Sequence, residues 1–104
     1  MDTLARLERT ILERRAAAAD ASYVASLTAR GLPTMARKLG EEAVEAVVAA
    51  LTEDRDGLIG EAADVLFHLL VLLAEKRVSL AEVLAELERR EGTSGLAEKA
   101  AREV

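Results

Sequence analysis

Three carboxylates lie within five residues in the stretch KLGEEAVEA, residues 38–46. In a helix, which turns by about 100° per residue, one face of this stretch carries Lys38, Glu41, Glu42 and Glu45. Acids on a helix are usually paired with Lys or Arg three or four positions away, because neighbouring like charges repel. Within this stretch Lys38 is the only such partner, and Glu45 has none. The face is therefore short of positive charge, which a bound cation would supply.

A second acidic pair follows in the stretch GEAADVLFH. Glu61 and Asp64 lie three residues apart on one helical face, and neither has a Lys or Arg three or four positions away. If residues 54–56 form the bend of an antiparallel hairpin, Glu45 and Asp64 fall at the same level. Four or five oxygen-bearing side chains would then converge on one point. Oxygen ligands without His or Cys favour Mg²⁺ or Mn²⁺ over zinc or copper.

A solvated acidic surface is the competing interpretation of the first stretch. Its glutamates point roughly opposite Ala43, Val47 and Leu51, as surface residues would. Asp64 favours a metal, because it leads directly into the apolar run VLFHLLVLLA and is expected to be partly buried. A buried carboxylate without a partner is costly, and a cation relieves that cost. His68, the single His, is predicted to be a packed or hydrogen-bonded core residue, with an orienting role toward Asp64 as the alternative.

The elements that position these residues are predicted to be helices. The chain has 104 residues, of which 51% are hydrophobic and 2% aromatic, so the core is built mainly from Leu, Val and Ala. Ala and Leu are strong helix formers, and 1 Pro and 6 Gly leave long uninterrupted runs. We therefore predict an all-α protein, a single domain over residues 1–104. Its helices form an antiparallel bundle of four main helices plus a short terminal segment.

Apolar spacing and capping residues predict where the helices in the first half of the chain begin and end. The first helix runs from about residue 2 into the run RRAAAA. A segment capped by Asp20 and stopped by Gly31 follows it. Thr34 is predicted to cap the next helix, which covers about residues 35–51.

In the second half, the cluster TEDRDG is predicted to be a turn, and a further helix covers about residues 58–76. Ser79 and Glu82 form an S-x-x-E capping box, which is a specific signal for a helix start. The chain is expected to end in a short terminal helix or a mobile tail.

The run VLFHLLVLLA is apolar on every side, and such a helix is normally buried on every side. A chain of 104 residues offers few neighbours to bury it, since a small monomer hides a limited share of its surface. We therefore expect a second copy to cover part of this helix, which gives a homodimer.

Charge and composition exclude several classes of function. The net charge of −5 argues against broad binding to a nucleic-acid backbone. The absence of Cys excludes disulfides, thiolate zinc sites and thiol nucleophiles. The first residues carry charges throughout and lack a signal-peptide core, and the apolar run is shorter than the roughly 20 residues that span a bilayer. The sequence predicts a soluble cytoplasmic protein without nucleic-acid or membrane partners.

The acidic residues, arranged as EExxE and then ExxD, resemble the signature of the MazG-like all-α nucleotide pyrophosphohydrolases. Longer stretches resemble the phosphoribosyl-ATP pyrophosphohydrolases of histidine biosynthesis within that superfamily. These are SYVASLTARGLPTMARKLGEEAVEAVVAA, EAADVLFHLLVLLA, VSLAEVLAELERR and GTSGLAEKAAR, and they cover nearly the whole chain. The acidic motif is shared across the superfamily, whereas its combination with the preceding KLG and the tail SGLAEK is far more specific.

This resemblance implies Mg²⁺-dependent hydrolysis of 1-(5-phosphoribosyl)-ATP to the corresponding AMP compound and pyrophosphate by a helical homodimer, with Mn²⁺ as a possible substitute. The metal ligands it implies are Glu42, Glu45, Glu61 and Asp64, with a further ligand or the base for water at Glu41. The phosphate contacts it implies are Lys38, Lys99 and Arg102, and the residues near the substrate are Ser22 and Tyr23. The alternative interpretation of Lys38 is a salt bridge to one of the neighbouring glutamates.

Two other functions are compatible with the acidic motif. One is a house-cleaning pyrophosphohydrolase for non-standard nucleoside triphosphates on the same scaffold, against which the SYVASL and GTSGLAEKAAR stretches argue. The other is a non-catalytic helical dimerisation module whose acids are surface residues. That module would gain no thermal stability from Mg²⁺.

Overall fold

The computed structural model describes residues 2–52, 54–92 and 94–103. These residues form six helices: α1 Thr3–Arg14, α2 Tyr23–Arg30, α3 Leu32–Thr52, α4 Arg55–Glu75, α5 Leu80–Arg90 and α6 Gly95–Glu103. No strand occurs in the part of the chain that is described. The all-α prediction is therefore confirmed, and the terminal segment is the helix α6.

The first two helices are each N-capped by a side-chain oxygen. Asp2 caps α1, and the Ser22 hydroxyl caps α2 by accepting a hydrogen bond from the Ala25 amide at 3.0 Å. The prediction that Asp20 caps this helix was wrong, since Ser22 lies nearer the first buried residues and takes that place. α1 also ends earlier than predicted, at Arg14, because the alanines that follow are exposed and add no packing to support a helix.

The third helix begins earlier than predicted. Gly31, with φ +95°, reverses the chain after α2, and α3 starts immediately at Leu32. Thr34 therefore lies inside the first turn and does not cap the helix. Pro33 fits this first turn because the amide that it lacks would have no partner within the helix.

The second half of the chain follows its capping signals closely. The Asp54 carboxylate accepts a hydrogen bond from the Gly57 amide at 3.0 Å, so α4 begins at Arg55, and the turn before it is shorter than predicted. The capping box is confirmed. The Ser79 hydroxyl accepts from the Glu82 amide at 3.1 Å, and the Glu82 carboxylate accepts from the Ser79 amide at 2.7 Å.

The hydrophobic core lies between α1, α2, the start of α3, the C-terminal half of α4 and the start of α5. α3 and α4 form a long helical hairpin, and α1 and α2 pack against it. The buried core residues, all aliphatic or Met, are Ile11, Val24, Leu27, Met35, Leu70, Val71 and Leu80. By length and composition α4 could cross a membrane, a test that a core helix of a soluble protein also passes. Here α4 supplies two of those core residues and packs along α3.

Two long-range contacts join α1 to other helices, one to the start of α5 and one to the end of α4. The Glu8 carboxylate of α1 accepts a hydrogen bond from the Leu80 amide at 2.7 Å, which fixes the start of α5. Arg15 donates to Glu75 at 2.9 Å, which joins the end of α1 to the end of α4. Beyond these contacts α5 and α6 pack little against the other helices in the described part of the chain.

Candidate metal centre

The α3–α4 hairpin brings three carboxylates to one point. Glu42 and Glu45 of α3 and Glu61 of α4 each offer one oxygen, and these three oxygens lie within 4.8 Å of one another. The convergence predicted for the two acidic stretches therefore occurs for three of the acids. Such spacing allows one divalent cation to contact all three carboxylates.

Two of these carboxylates have an oxygen without a hydrogen-bond partner in the described part of the chain. Oε2 of Glu42 and Oε2 of Glu61 are fully buried and accept no hydrogen bond from the described residues. Buried polar atoms are nearly always paired, because leaving water without a new partner costs free energy. A cation between the helices would satisfy both oxygens, so these residues fit a bound metal ion.

The pKa values of the clustered glutamates also fit a bound cation. Burial raises the pKa of Glu42, and the neighbouring Glu45 carboxylate raises it further. The pKa of Glu61 is also raised, first by burial and then by the charges of Glu45 and Asp64. Burial and mutual repulsion both disfavour the charged carboxylates. A divalent cation would reverse this balance by stabilising the ionised forms.

Asp64 occupies a different place from the one expected. Its side chain is exposed, and it is not one of the three acids whose oxygens converge. The expectation of partial burial was wrong for the single chain, since Asp64 lies on a face of α4 that none of the described helices covers. Its negative charge nevertheless raises the pKa of both Glu42 and Glu61, so it lies beside the cluster.

Glu41 faces basic residues and not the cluster. Its carboxylate lies 3.4 Å from the Lys38 ammonium and 3.5 Å from the Arg37 guanidinium. The hydrogen bond from Lys38 to Glu41 is the main cause of the raised pKa of Lys38, and the nearby Tyr23 hydroxyl adds to it. The salt-bridge interpretation of Lys38 is thus correct for the free protein. Arg37, one residue before the stretch first considered, is a second partner of Glu41 that sequence reasoning missed.

The orientation of α3 agrees with the solvated-surface interpretation for Glu41 and Glu45, which are exposed, but not for the apolar residues opposite them. Val47 is 60% exposed and Leu51 79% exposed, and Ala43 is exposed as well. Glu42 instead turns a buried oxygen toward α4. Glu42 therefore faces the interior of the hairpin, Glu41 and Glu45 are exposed, and apolar residues of α3 also point outward.

His68 is buried beside the cluster, as predicted for a hydrogen-bonded core histidine. Its Nδ1 lies 2.9 Å from the Asp64 carbonyl oxygen, and its Nε2 lies 3.1 Å from the Tyr23 hydroxyl. His68 therefore contacts the backbone of Asp64 and not its carboxylate. The hydroxyl of Ser22 is engaged as the cap of α2, while Tyr23 is half exposed.

The basic residues predicted to contact phosphate lie on two different elements. Lys38 is on α3, within reach of the acidic face, and Lys99 and Arg102 are exposed on α6. The roles of these three residues, and of Ser22 and Tyr23, toward a substrate stay predictions.

Comparison with known proteins gives one consistent result. The profile of the PRA-PH family, phosphoribosyl-ATP pyrophosphohydrolase, matches residues 4–91. A phosphoribosyl-ATP pyrophosphatase of Rhizorhabdus wittichii is 68% identical over 100 residues, 96% of this chain and 94% of the relative. The phosphoribosyl-ATP pyrophosphatase of Novosphingobium aromaticivorans is 63% identical over 97% of this chain and 94% of the relative. That of Erythrobacter litoralis is 64% identical over 98% of both chains.

Proposed function

The chain belongs to the phosphoribosyl-ATP pyrophosphohydrolase family of histidine biosynthesis, and we propose that a divalent cation held between α3 and α4 serves its hydrolytic reaction. The reaction converts 1-(5-phosphoribosyl)-ATP and water to 1-(5-phosphoribosyl)-AMP and pyrophosphate. The observation that carries the proposal is the pair of buried oxygens of Glu42 and Glu61 that have no hydrogen-bond partner among the described residues.

The proposed cation is Mg²⁺, with Mn²⁺ as a substitute, because all the available ligands are carboxylate oxygens. The ligands would be Glu42, Glu45, Glu61 and Asp64. When bound, the cation would neutralise charge on the phosphate oxygens and help to orient an attacking water. A chain with a net charge of −5 needs such a positive centre to attract a polyanionic substrate.

The remaining site residues act on the substrate in this proposal. Lys38 would exchange its contact with Glu41 for a phosphate oxygen, which leaves Glu41 available as a further ligand or as the base for water. Lys99 and Arg102 would approach the phosphates from α6, and Ser22 and Tyr23 would lie near the substrate. An Arg37 contact keeps Glu41 partly neutralised after Lys38 has moved.

We also propose that the protein acts as a homodimer in the cytoplasm. The accessible surface of the chain, 7216 Å², exceeds the roughly 5,700 Å² typical of a compact monomer of this mass. The radius of gyration, 15.8 Å, likewise exceeds the roughly 13 Å of a compact domain of this length. The excess area is on the order of what a stable interface covers, and exposed apolar residues line α3: Val44, Val47, Val48 and Leu51.

A pyrophosphate-release assay tests the proposal. Pyrophosphate should appear from phosphoribosyl-ATP only when Mg²⁺ or Mn²⁺ is added, and chelation should stop the reaction. Turnover of ordinary deoxynucleoside triphosphates at a comparable kcat/KM would favour the house-cleaning alternative. Full turnover in the presence of excess chelator would overturn the cation proposal, and no turnover of either substrate would favour a non-catalytic module.

A further inference from the structure

Two hydrogen bonds join α2 to the turn of α4 that carries Asp64. The Tyr23 hydroxyl lies 3.1 Å from Nε2 of His68, and Nδ1 of His68 lies 2.9 Å from the carbonyl oxygen of Asp64. His68 is 6% exposed, so water does not compete for either ring nitrogen. We call these two bonds the Tyr23–His68 link.

The chemistry of the groups fixes the direction of each bond. A carbonyl oxygen only accepts, so Nδ1 of His68 carries a proton and donates it to Asp64. In the neutral ring Nε2 is then an acceptor, and the Tyr23 hydroxyl donates to it. For the neutral ring, the link thus has one arrangement of protons that satisfies both ring nitrogens.

Aromatic packing holds the link in place. The sequence has one Tyr, one Phe and one His, and the three rings meet here. Tyr23 stacks on Phe67 with ring centroids 6.0 Å apart and planes inclined by 20°. The His68 ring stands edge-on to both, at 81° to Tyr23 and 86° to Phe67. An aliphatic core concentrates its aromatic side chains at this one point, directly beside the acidic cluster.

The position of the Asp64 carboxylate depends on the backbone of its own turn. Its carboxylate is exposed, and no hydrogen bond or ion pair holds it to another described side chain in the free protein. The position of its oxygens therefore depends on where the main chain of this turn lies. Nδ1 of His68 forms a hydrogen bond with that main chain.

We propose that Tyr23 and His68 are positioning residues for the carboxylates of α4, acting through the link on the backbone of Asp64. The inference rests on the proposed cation site. Groups that orient ligands without touching the metal typically change metal affinity or activity by about 10–100-fold when removed. Removal of one neutral hydrogen bond further from the ligand has a smaller effect, about threefold.

The experiment measures Mn²⁺ affinity of the free protein by electron paramagnetic resonance, together with kcat and KM for phosphoribosyl-ATP. Tyr23→Phe removes only the hydroxyl and should weaken Mn²⁺ binding about threefold. His68→Phe removes both bonds and should weaken it about tenfold, with a loss in kcat larger than the change in KM. The double variant should lose no more than His68→Phe alone, and His68→Asn, which keeps a donor near the Nδ1 position, should recover part of the affinity.

Thr28→Val is the matched control. It removes another side-chain hydrogen bond, from Thr28 to the Val24 carbonyl oxygen at 2.8 Å, in the same helix as Tyr23. It should change thermal stability and leave Mn²⁺ affinity unchanged. A loss of affinity equal to that of Tyr23→Phe would overturn the inference, because affinity would then follow the stability of α2.

The two proposals fail in distinguishable ways. If the wild-type protein binds no Mn²⁺, the cation site is wrong and the positioning role falls with it. If the wild type binds Mn²⁺ and hydrolyses phosphoribosyl-ATP while folded Tyr23→Phe and His68→Phe keep wild-type affinity and kcat, only the positioning role is wrong.

Discussion

Glu42 on α3 and Glu61 on α4 place a carboxylate oxygen each within 4.8 Å of the other, across the helical hairpin. Each also keeps a buried oxygen that no described donor reaches. A hairpin that serves stability alone would bury apolar side chains here. We therefore infer that the pair lowers folding stability and serves binding. Four predictions follow from this pair and from the outward face of α3.

Neutralising either glutamate should stabilise the metal-free protein. The pKa values of Glu42 and Glu61 are raised by burial and by Glu45, so their neutral forms fit the fold better than their charged forms. This contribution to stability is present at low pH and is lost as the pH rises through the raised pKa values. With chelator present at pH 7, Glu42→Gln and Glu61→Gln should raise the Tm, and this gain should shrink toward pH 4.

Glu86→Gln is a control for which the expected change in Tm has the opposite sign. The Arg89 and Arg90 guanidinium groups hold the pKa of Glu86 at about 2, with the hydrogen bonds from Arg89 as the largest cause. Its contribution to stability is present above the ordinary pKa and is lost as the pH falls toward about 2. Glu86→Gln should therefore lower the Tm at pH 7. If Glu42→Gln also lowers the Tm, the conclusion that burial disfavours the charged form of Glu42 is wrong.

Mg²⁺ should stabilise the wild-type protein. A ligand that binds only the folded state adds RT ln(1 + [L]/Kd), about 2.7 kcal/mol at a hundredfold excess over Kd. Thermal denaturation with increasing MgCl₂ should show a rising Tm that depends on the ion and not on ionic strength, with KCl as the reference. The rise should be absent in Glu61→Gln. An equal rise in that variant would place the ion elsewhere.

Removal of one proposed ligand should abolish most of the activity. Glu61→Ala and Asp64→Ala should each lower kcat for phosphoribosyl-ATP by at least ~10²-fold, the scale of losing one preorganised electrostatic group. Glu88→Ala, an exposed acid on α5, is the matched control and should retain wild-type kcat. Near-wild-type turnover by Asp64→Ala would remove Asp64 from the site.

Introducing a charged residue on the outward face of α3 should dissociate the proposed dimer. Val47, 60% exposed in the single chain, would be covered by the second copy, and an unpaired buried carboxylate is costly. Val47→Glu should shift the sedimentation coefficient from dimer to monomer at micromolar concentration. Leu12→Glu, at a position 51% exposed on α1, should leave the dimer intact. A wild-type protein that sediments as a monomer would refute the prediction.

The sequence alone determined the fold class and the types of residue in the site. Helix propensity and the few breakers suffice for an all-α chain, and local signals such as Ser79 with Glu82 fix a helix start because their hydrogen bonds span only three residues. The spacing of Glu42, Glu45 and Glu61 likewise predicted acids on facing helices. The cap of α2 was predicted at Asp20, whereas the structure has it at Ser22, next to the first buried residues of that helix.

Only the tertiary structure decided which way each acidic face points. Rotation of α3 about its axis depends on its contacts with α4, and that rotation turns Glu42 inward while Val47 and Leu51 face outward. It also leaves Asp64 exposed and brings Tyr23 to His68 across 45 residues of sequence. Local patterns carry no information about such rotations, because they arise from side chains that are distant in the chain and adjacent in the fold.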